Sequence, residues 1–171
     1  MSVEQLDTER LVLEPLTEQH AAALFPNLRD PKLYEFLDEK PPESVAFLQE
    51  RFRRWSSGRS PDGSEVWLNW AARLRGTEEF VGWFQATVQP VGEAQIAYLV
   101  FVEHQRHGFA REASAAVIGH IVAAHQVTCV SVSVDPRNEA SIRLAKALGL
   151  DQTESATSDL RFVRVVRDGR P

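Results

Sequence analysis

The chain has 171 residues, 43% of them hydrophobic, and a formal charge of −5 at neutral pH. That length suits one domain with a full core, and the acidic balance argues against nucleic acid as the main partner and favours a cationic one. A single cysteine, Cys129, permits no disulfide framework within one chain, and no signal peptide or membrane-length apolar run is visible, so a reducing cytoplasm away from any membrane is the expected setting.

Arg10 to Glu14 alternates into a short strand with Leu11 and Leu13 on one face. Thr17 is placed to cap a helix through Ala21 to Leu24, with Leu16 as its staple, and Pro26 to Pro31 should break that helix. Lys32 to Pro42 carries Leu33, Tyr34, Phe36 and Leu37 between prolines and reads as a short helix or an ordered arm. Ser44 suits the cap of a second helix, on which Leu48, Phe52 and Trp55 recur at helical spacing.

Val66 to Arg75 and Phe80 to Gln89 read as two strands of a hairpin, joined through Gly76 to Glu79. Trp67, Trp70 and Trp83 on these strands are expected in the core. The stretch EAQIAYLVFVEHQRHGFAREA, Glu93 to Ala113, then passes from an apolar strand through a polar turn with one glycine into an Ala-rich helix that starts near Phe109 and ends near His125. Val127 to Val134 is the next strand, and Asp135-Pro136 turns into a helix stopped at Gly149, a residue suited to the left-handed position past a helix end. A weaker strand around Gln152 to Ala156 and a final one from Leu160 to Val166 complete a mixed α/β pattern.

The turn before Phe109 is an anion site in outline. The start of a helix presents N–H groups with no intrahelical partner, and a glycine lets backbone approach a phosphate closely. Gly108 supplies that approach, and Arg106, His107 and Arg111 add positive charge. Gln105, Gly108 and Ala110 fit the spacing Gln/Arg-x-x-Gly-x-Gly/Ala, which resembles the acyl-CoA diphosphate loop of the GNAT N-acetyltransferase superfamily. The string IAYLVFVEHQRHGFAREA is similar to its RimJ/RimL-like branch, as are TERLVLEPLTEQHAAAL near the N-terminus and NEASIRLAKALGL near the C-terminus, in the same order.

This resemblance implies a single GNAT-type α/β (α+β) domain over residues 1–171. Its mixed sheet would have six to seven strands and about four flanking helices, with the two central strands splayed apart. It implies acetyl-CoA as cofactor and an amine acceptor. Gln105, Arg106, His107, Gly108, Phe109, Ala110 and Arg111 would hold the diphosphate, and Tyr98, Leu99 and Val100 the pantetheine arm. Asn138 matches a family asparagine whose amide contacts that arm; as a plain helix cap it would look the same. Ser141 matches a serine whose hydroxyl could protonate or orient the CoA sulfur, or could simply bond a preceding carbonyl.

The acid/base residues of other branches do not carry over. Positions that hold Glu and Tyr in the RimI pattern are Ser133 and Ala145 here, and the histone-type glutamate position is Ala94. Glu93 and Tyr98 remain as candidates for passing the amine proton to water. His104 and His107 are expected to contact phosphate or solvent. Residues 21–65 would form much of the acceptor wall, with Tyr34, Phe36 and Trp55 as candidate contacts. An exposed edge strand near Leu160 would suit a homodimer. The rival reading is an idle acyl-CoA-binding domain that keeps the fold, motivated by the missing acid/base pair.

Overall fold

The computed structural model describes residues 3–166. One eight-stranded sheet is formed by β1 (Leu6–Asp7), β2 (Leu11–Pro15), β3 (Val66–Leu74), β4 (Phe80–Val88), β5 (Glu93–Val100), β6 (Cys129–Val134), β7 (Asp151–Thr153) and β8 (Leu160–Val165). Its spatial order is β1-β2-β3-β4-β5-β6-β8-β7, and the β5/β6 pair is parallel in an otherwise antiparallel sheet. The four helices are α1 (His20–Leu28), α2 (Val45–Trp55), α3 (Phe109–His125) and α4 (Glu139–Ala147). The two-residue strand β1 raises the count by one above the expected range.

Two clusters cover the two faces of the sheet. Phe109, Ala113, Val117 and Ile121 of α3 pack on Leu68, Trp70, Phe84 and Ile96, whereas α1 and α2 bury Leu24, Leu48 and Phe52 around Ala71 and Phe101. Covered on both sides, the central strands become nearly continuous apolar runs, as in LNWAA of β3. Of the tryptophans expected in the core, Trp70 is fully buried; Trp67 and Trp83 are partly exposed.

α2 forms as its sequence dictates. Ser44 is extended and accepts from the Phe47 N–H at 3.1 Å, and Leu48 and Phe52 fall one above the other on the buried face. α1 departs from expectation twice. Gln19 takes the cap position with no side-chain bond, while the Thr17 backbone N–H donates to His20 Nδ1 at 3.0 Å. The helix also runs through Pro26 to Leu28. Leu24 and Leu28, four residues apart across the proline, are both buried, and that packing outweighs the one missing backbone bond.

β8 is a correction as well. It lies between β6 and β7, pairing with β6 from Cys129↔Val165 to Val134↔Leu160, so the edge expected near Leu160 belongs to β7 instead. Leu160–Val165 buries Phe162 and is paired along both edges, whereas the short, exposed Asp151–Thr153 suits the rim.

A candidate cofactor cleft between two parting strands

β5 and β6 pair only where they begin. Glu93, Ala94 and Gln95 register with Cys129, Val130 and Ser131, after which the strands part. On its other side β5 pairs with β4 throughout, and Phe101 N–H donates to Val81 O at 2.9 Å while Gln89 N–H donates to Glu93 O at 2.8 Å. Odd-numbered backbone groups therefore point to β4, and the period of two turns those of Tyr98 and Val100 into the gap. The Val100 carbonyl accepts from Gln105 Nε2 at 3.1 Å. The remaining groups have the spacing an added extended chain needs.

The same end of β5 leads to the turn before α3. Gly108, with φ 83° and ψ 2°, is the residue preceding the first helical turn, and Arg106 also has positive φ, at 67°. Left-handed residues this close together point successive N–H groups into one concavity, which the positive end of α3 reinforces. Arg10 reaches this turn from the start of β2: its Nη1 donates to His107 O at 2.9 Å, and its Nε donates to Glu112 at 2.7 Å.

A cleft of about 920 Å³ joins these features, within the range of small-molecule sites. It passes through the gap from one face of the sheet to the other. Gly108, Ala110, Arg111, Asn138 and Ser141 line the face that carries α3 and α4; Gln95, Ala97, Ser133, Leu33 and Phe36 line the face that carries α1 and α2. Unpaired strand amides, a left-handed turn at a helix start, and a tunnel between them together fit a long cofactor with an anionic end.

Among the sequence candidates, Tyr98, Leu99, Val100, Gln105, Arg106, Gly108, Phe109, Ala110, Arg111, Asn138, Ser141 and Phe36 all line this cleft. Four others are elsewhere. His107 stacks on Phe109 with ring centres 5.7 Å apart and does not line it. Glu93 sits at the paired end of β5, exposed, before the strands diverge. Tyr34 spends its hydroxyl on the Leu28 carbonyl at 2.9 Å. Trp55 stacks on Trp83 at 4.9 Å within the α1/α2 cluster. His104, expected at phosphate or in solvent, is buried rather than solvated, with Nε2 3.3 Å from Glu79, and it does line the cleft.

Two hydroxyl residues, Tyr98 and Ser141, line the cleft. Burial raises the Tyr98 pKa and outweighs the lowering effect of the Ser141 side chain, so the phenol stays protonated at neutral pH, donating to the Ser141 carbonyl at 3.5 Å. Asn138 is an N-cap, its Oδ1 accepting from Ser141 N–H at 3.0 Å, which leaves the Asn138 amide nitrogen for the cleft.

Sequence reasoning missed several cleft residues because their signal is tertiary. Gln95 Nε2 approaches Ser133 Oγ at 3.5 Å just past the last paired residues. Glu35, Asp135 and Asp159, from three separate segments, gather on the lining. Hydrogen bonds from Arg137 hold the Asp135 pKa at about 2. Gly82, outside the cleft, was also missed: a Cβ there would lie 2.2 Å from the Leu99 carbonyl oxygen, so only glycine lets β4 approach this part of β5.

Comparisons with known proteins agree with this geometry. Residues 10–151 match the family model described as acetyltransferase (GNAT) domain. An uncharacterized N-acetyltransferase, YoaA of Bacillus subtilis, is 27% identical over 153 residues, covering 86% of this chain and 82% of that protein. Among solved structures, RimL, a ribosomal L7/L12 alpha-N-protein acetyltransferase in complex with coenzyme A, superposes with TM-score 0.74 at 17% identity over 95% of this chain and 98% of its own. Aminoglycoside acetyltransferase AAC(6')-Ib, in complex with coenzyme A and kanamycin, does so with TM-score 0.74 at 19% identity over 91% and 94%.

Proposed function

The chain belongs to the GNAT acetyltransferase family, and from that premise we propose that it transfers acetyl from acetyl-CoA to a primary amine by direct attack, the two substrates meeting in the gap between β5 and β6. The observation that carries this reading is the parting of those strands beyond Gln95 and Ser131, beside the helix start at Gly108. When bound, acetyl-CoA supplies an activated acetyl thioester.

The chain's own residues divide the work. Amides of residues 108–111 and the Arg111 side chain suit the diphosphate. Backbone groups of Tyr98 and Val100 suit the pantetheine arm, and an N–H of this strand suits the thioester carbonyl, where preorganised donors lower the barrier most. Phe36, Glu35, Asp135 and Asp159 also line the cleft, apolar and acidic groups that suit a cationic amine.

An amine of lysine type, with pKa about 10.4, or of α-amino type, about 8, must lose a proton before attack. Ser133, Ala145 and Ala94 supply no base, and the Tyr98 phenol is held protonated. Water in the open cleft therefore carries the amine proton, while the Ser141 and Tyr98 hydroxyls suit donation on the cofactor side, Tyr98 by giving up its 3.5 Å bond to the Ser141 carbonyl. Positioning alone supplies a large part of such a rate enhancement.

The test is thiol release from acetyl-CoA with peptide N-termini, polyamines and aminoglycosides as acceptors, beside calorimetric titration with CoA. Binding with turnover on at least one amine class is expected. CoA binding without turnover on any of them would favour the idle domain, and no CoA binding would remove the cleft assignment.

A further inference from the structure

Thr8 and Arg10 have no part in the reading above, yet Thr8 reaches Glu112 of α3 and Arg10 reaches both Glu112 and the turn before that helix. Arg10 does not line the cleft. Its Nη1 donates to the His107 carbonyl at 2.9 Å, its Nε and Nη2 each lie 2.7 Å from Glu112 Oε2, and its guanidinium carbon is 4.8 Å from the centre of the Phe109 ring. A Cβ on Gly108 would come within 3.3 Å of Arg10 Nη2. Glu112 Oε1 accepts two more bonds, from Thr8 Oγ1 at 2.6 Å and from the Arg10 N–H at 2.7 Å. Burial works to raise the Glu112 pKa, but these bonds overcome it and keep the group ionised.

A turn that binds a diphosphate must present N–H groups and keep carbonyl dipoles out of the site. The His107 carbonyl shares a trans peptide unit with the Gly108 N–H, so the two point in opposite directions. Arg10 captures that carbonyl from the side away from the cleft. The same guanidinium pairs with Glu112, the acidic residue in the first turn of α3, where an unpaired carboxylate would repel an anion.

We propose that Arg10 is a positioning residue for the diphosphate turn, fixing the amides of residues 108–111 toward the cleft by holding the His107 carbonyl turned away. This rests on the turn being the diphosphate site. Arg10→Met is expected to raise the calorimetric Kd for CoA about tenfold, with KM for acetyl-CoA rising in parallel and kcat and amine KM within about twofold of wild type. Arg10→Lys, which can reach one of the two partners but not both, falls between.

The double variant R10M/E112Q, which also removes the charge that Arg10 covers, is expected to bind as weakly as R10M. Wild-type affinity in R10M overturns the proposal. So does recovery in the double variant, which would reduce Arg10 to cancelling Glu112. Should R10M fail to give a cooperative melt, Glu112→Gln decides: it keeps the His107 contact and is expected to stay within about threefold of wild type, and a loss of about tenfold or more overturns the proposal. Wild-type protein that binds no CoA would remove the diphosphate assignment itself, a different failure from wild-type binding that ignores Arg10.

Discussion

β5 treats its two neighbours differently. Against β4 it stays in register for seven residue pairs, Ala94 to Val100; against β6 it keeps three and then turns away. The β4 side is a closed ladder in which each backbone group has a protein partner. The β6 side leaves polar backbone beside a tunnel, an arrangement that makes sense when a bound chain completes it. One edge of this strand is closed by pairing, and the other is left open beside the cleft.

The largest expected effect comes from breaking the closed side. Gly82→Val places a side chain against the Leu99 carbonyl, 2.2 Å from where its Cβ must sit. A loss of about 3 kcal/mol in denaturant unfolding is expected from such overpacking, and CoA binding should fail with it. An unfolding midpoint like that of wild type would show that β4 and β5 are not held this close.

On the open side, Gly108→Val is expected to leave a folded protein that binds CoA at least about tenfold more weakly, since a β-branched residue at φ 83° costs roughly 1–2 kcal/mol and blocks the turn. Unchanged affinity in calorimetry would remove the turn from the site.

Two helix caps sharpen the contrast further. Asn138→Ala and Ser44→Ala each delete an N-cap bond, at 3.0 Å and 3.1 Å, and each should cost about 1 kcal/mol in thermal unfolding. The Asn138 variant alone should also raise the Kd for CoA. Equal CoA affinities in the two variants would reduce Asn138 to a cap.

The smallest effect is a pH dependence at Asp135 on the cleft lining. Arg137 holds Asp135 at about 2, below its ordinary 3.8. A depressed carboxylate contributes stability that is complete above the unfolded value and is lost as pH falls through the folded one. Between about pH 4 and pH 2 the melting temperature of wild type should therefore fall more steeply than that of Asp135→Asn. Parallel curves would mean that the Arg137 pair contributes nothing measurable.

Much of the fold was legible locally. Ser44 capping α2, Phe109 opening α3 and Gly149, at φ 76°, ending α4 all follow from short-range rules that the chain obeys. The turn from Gln105 to Arg111 was legible too, because its glycine spacing encodes backbone shape. Local rules failed at α1, where Pro26 was read as a stop although burial of Leu24 and Leu28 carries the helix past it. They also failed for the acceptor side, where Tyr34 and Trp55 looked available but are committed to Leu28 and Trp83.

By itself the sequence determined most of the elements, the left-handed turn before α3 and the family, since each is written in residues adjacent along the chain. Only the tertiary structure decided where β5 and β6 part, that β8 inserts between β6 and β7, that Arg10 reaches His107 and Glu112, and that Glu35, Asp135 and Asp159 line one cleft. These depend on contacts between segments tens of residues apart. Such contacts are set by how two packed faces close on one sheet, and no periodicity or spacing within a single segment encodes them.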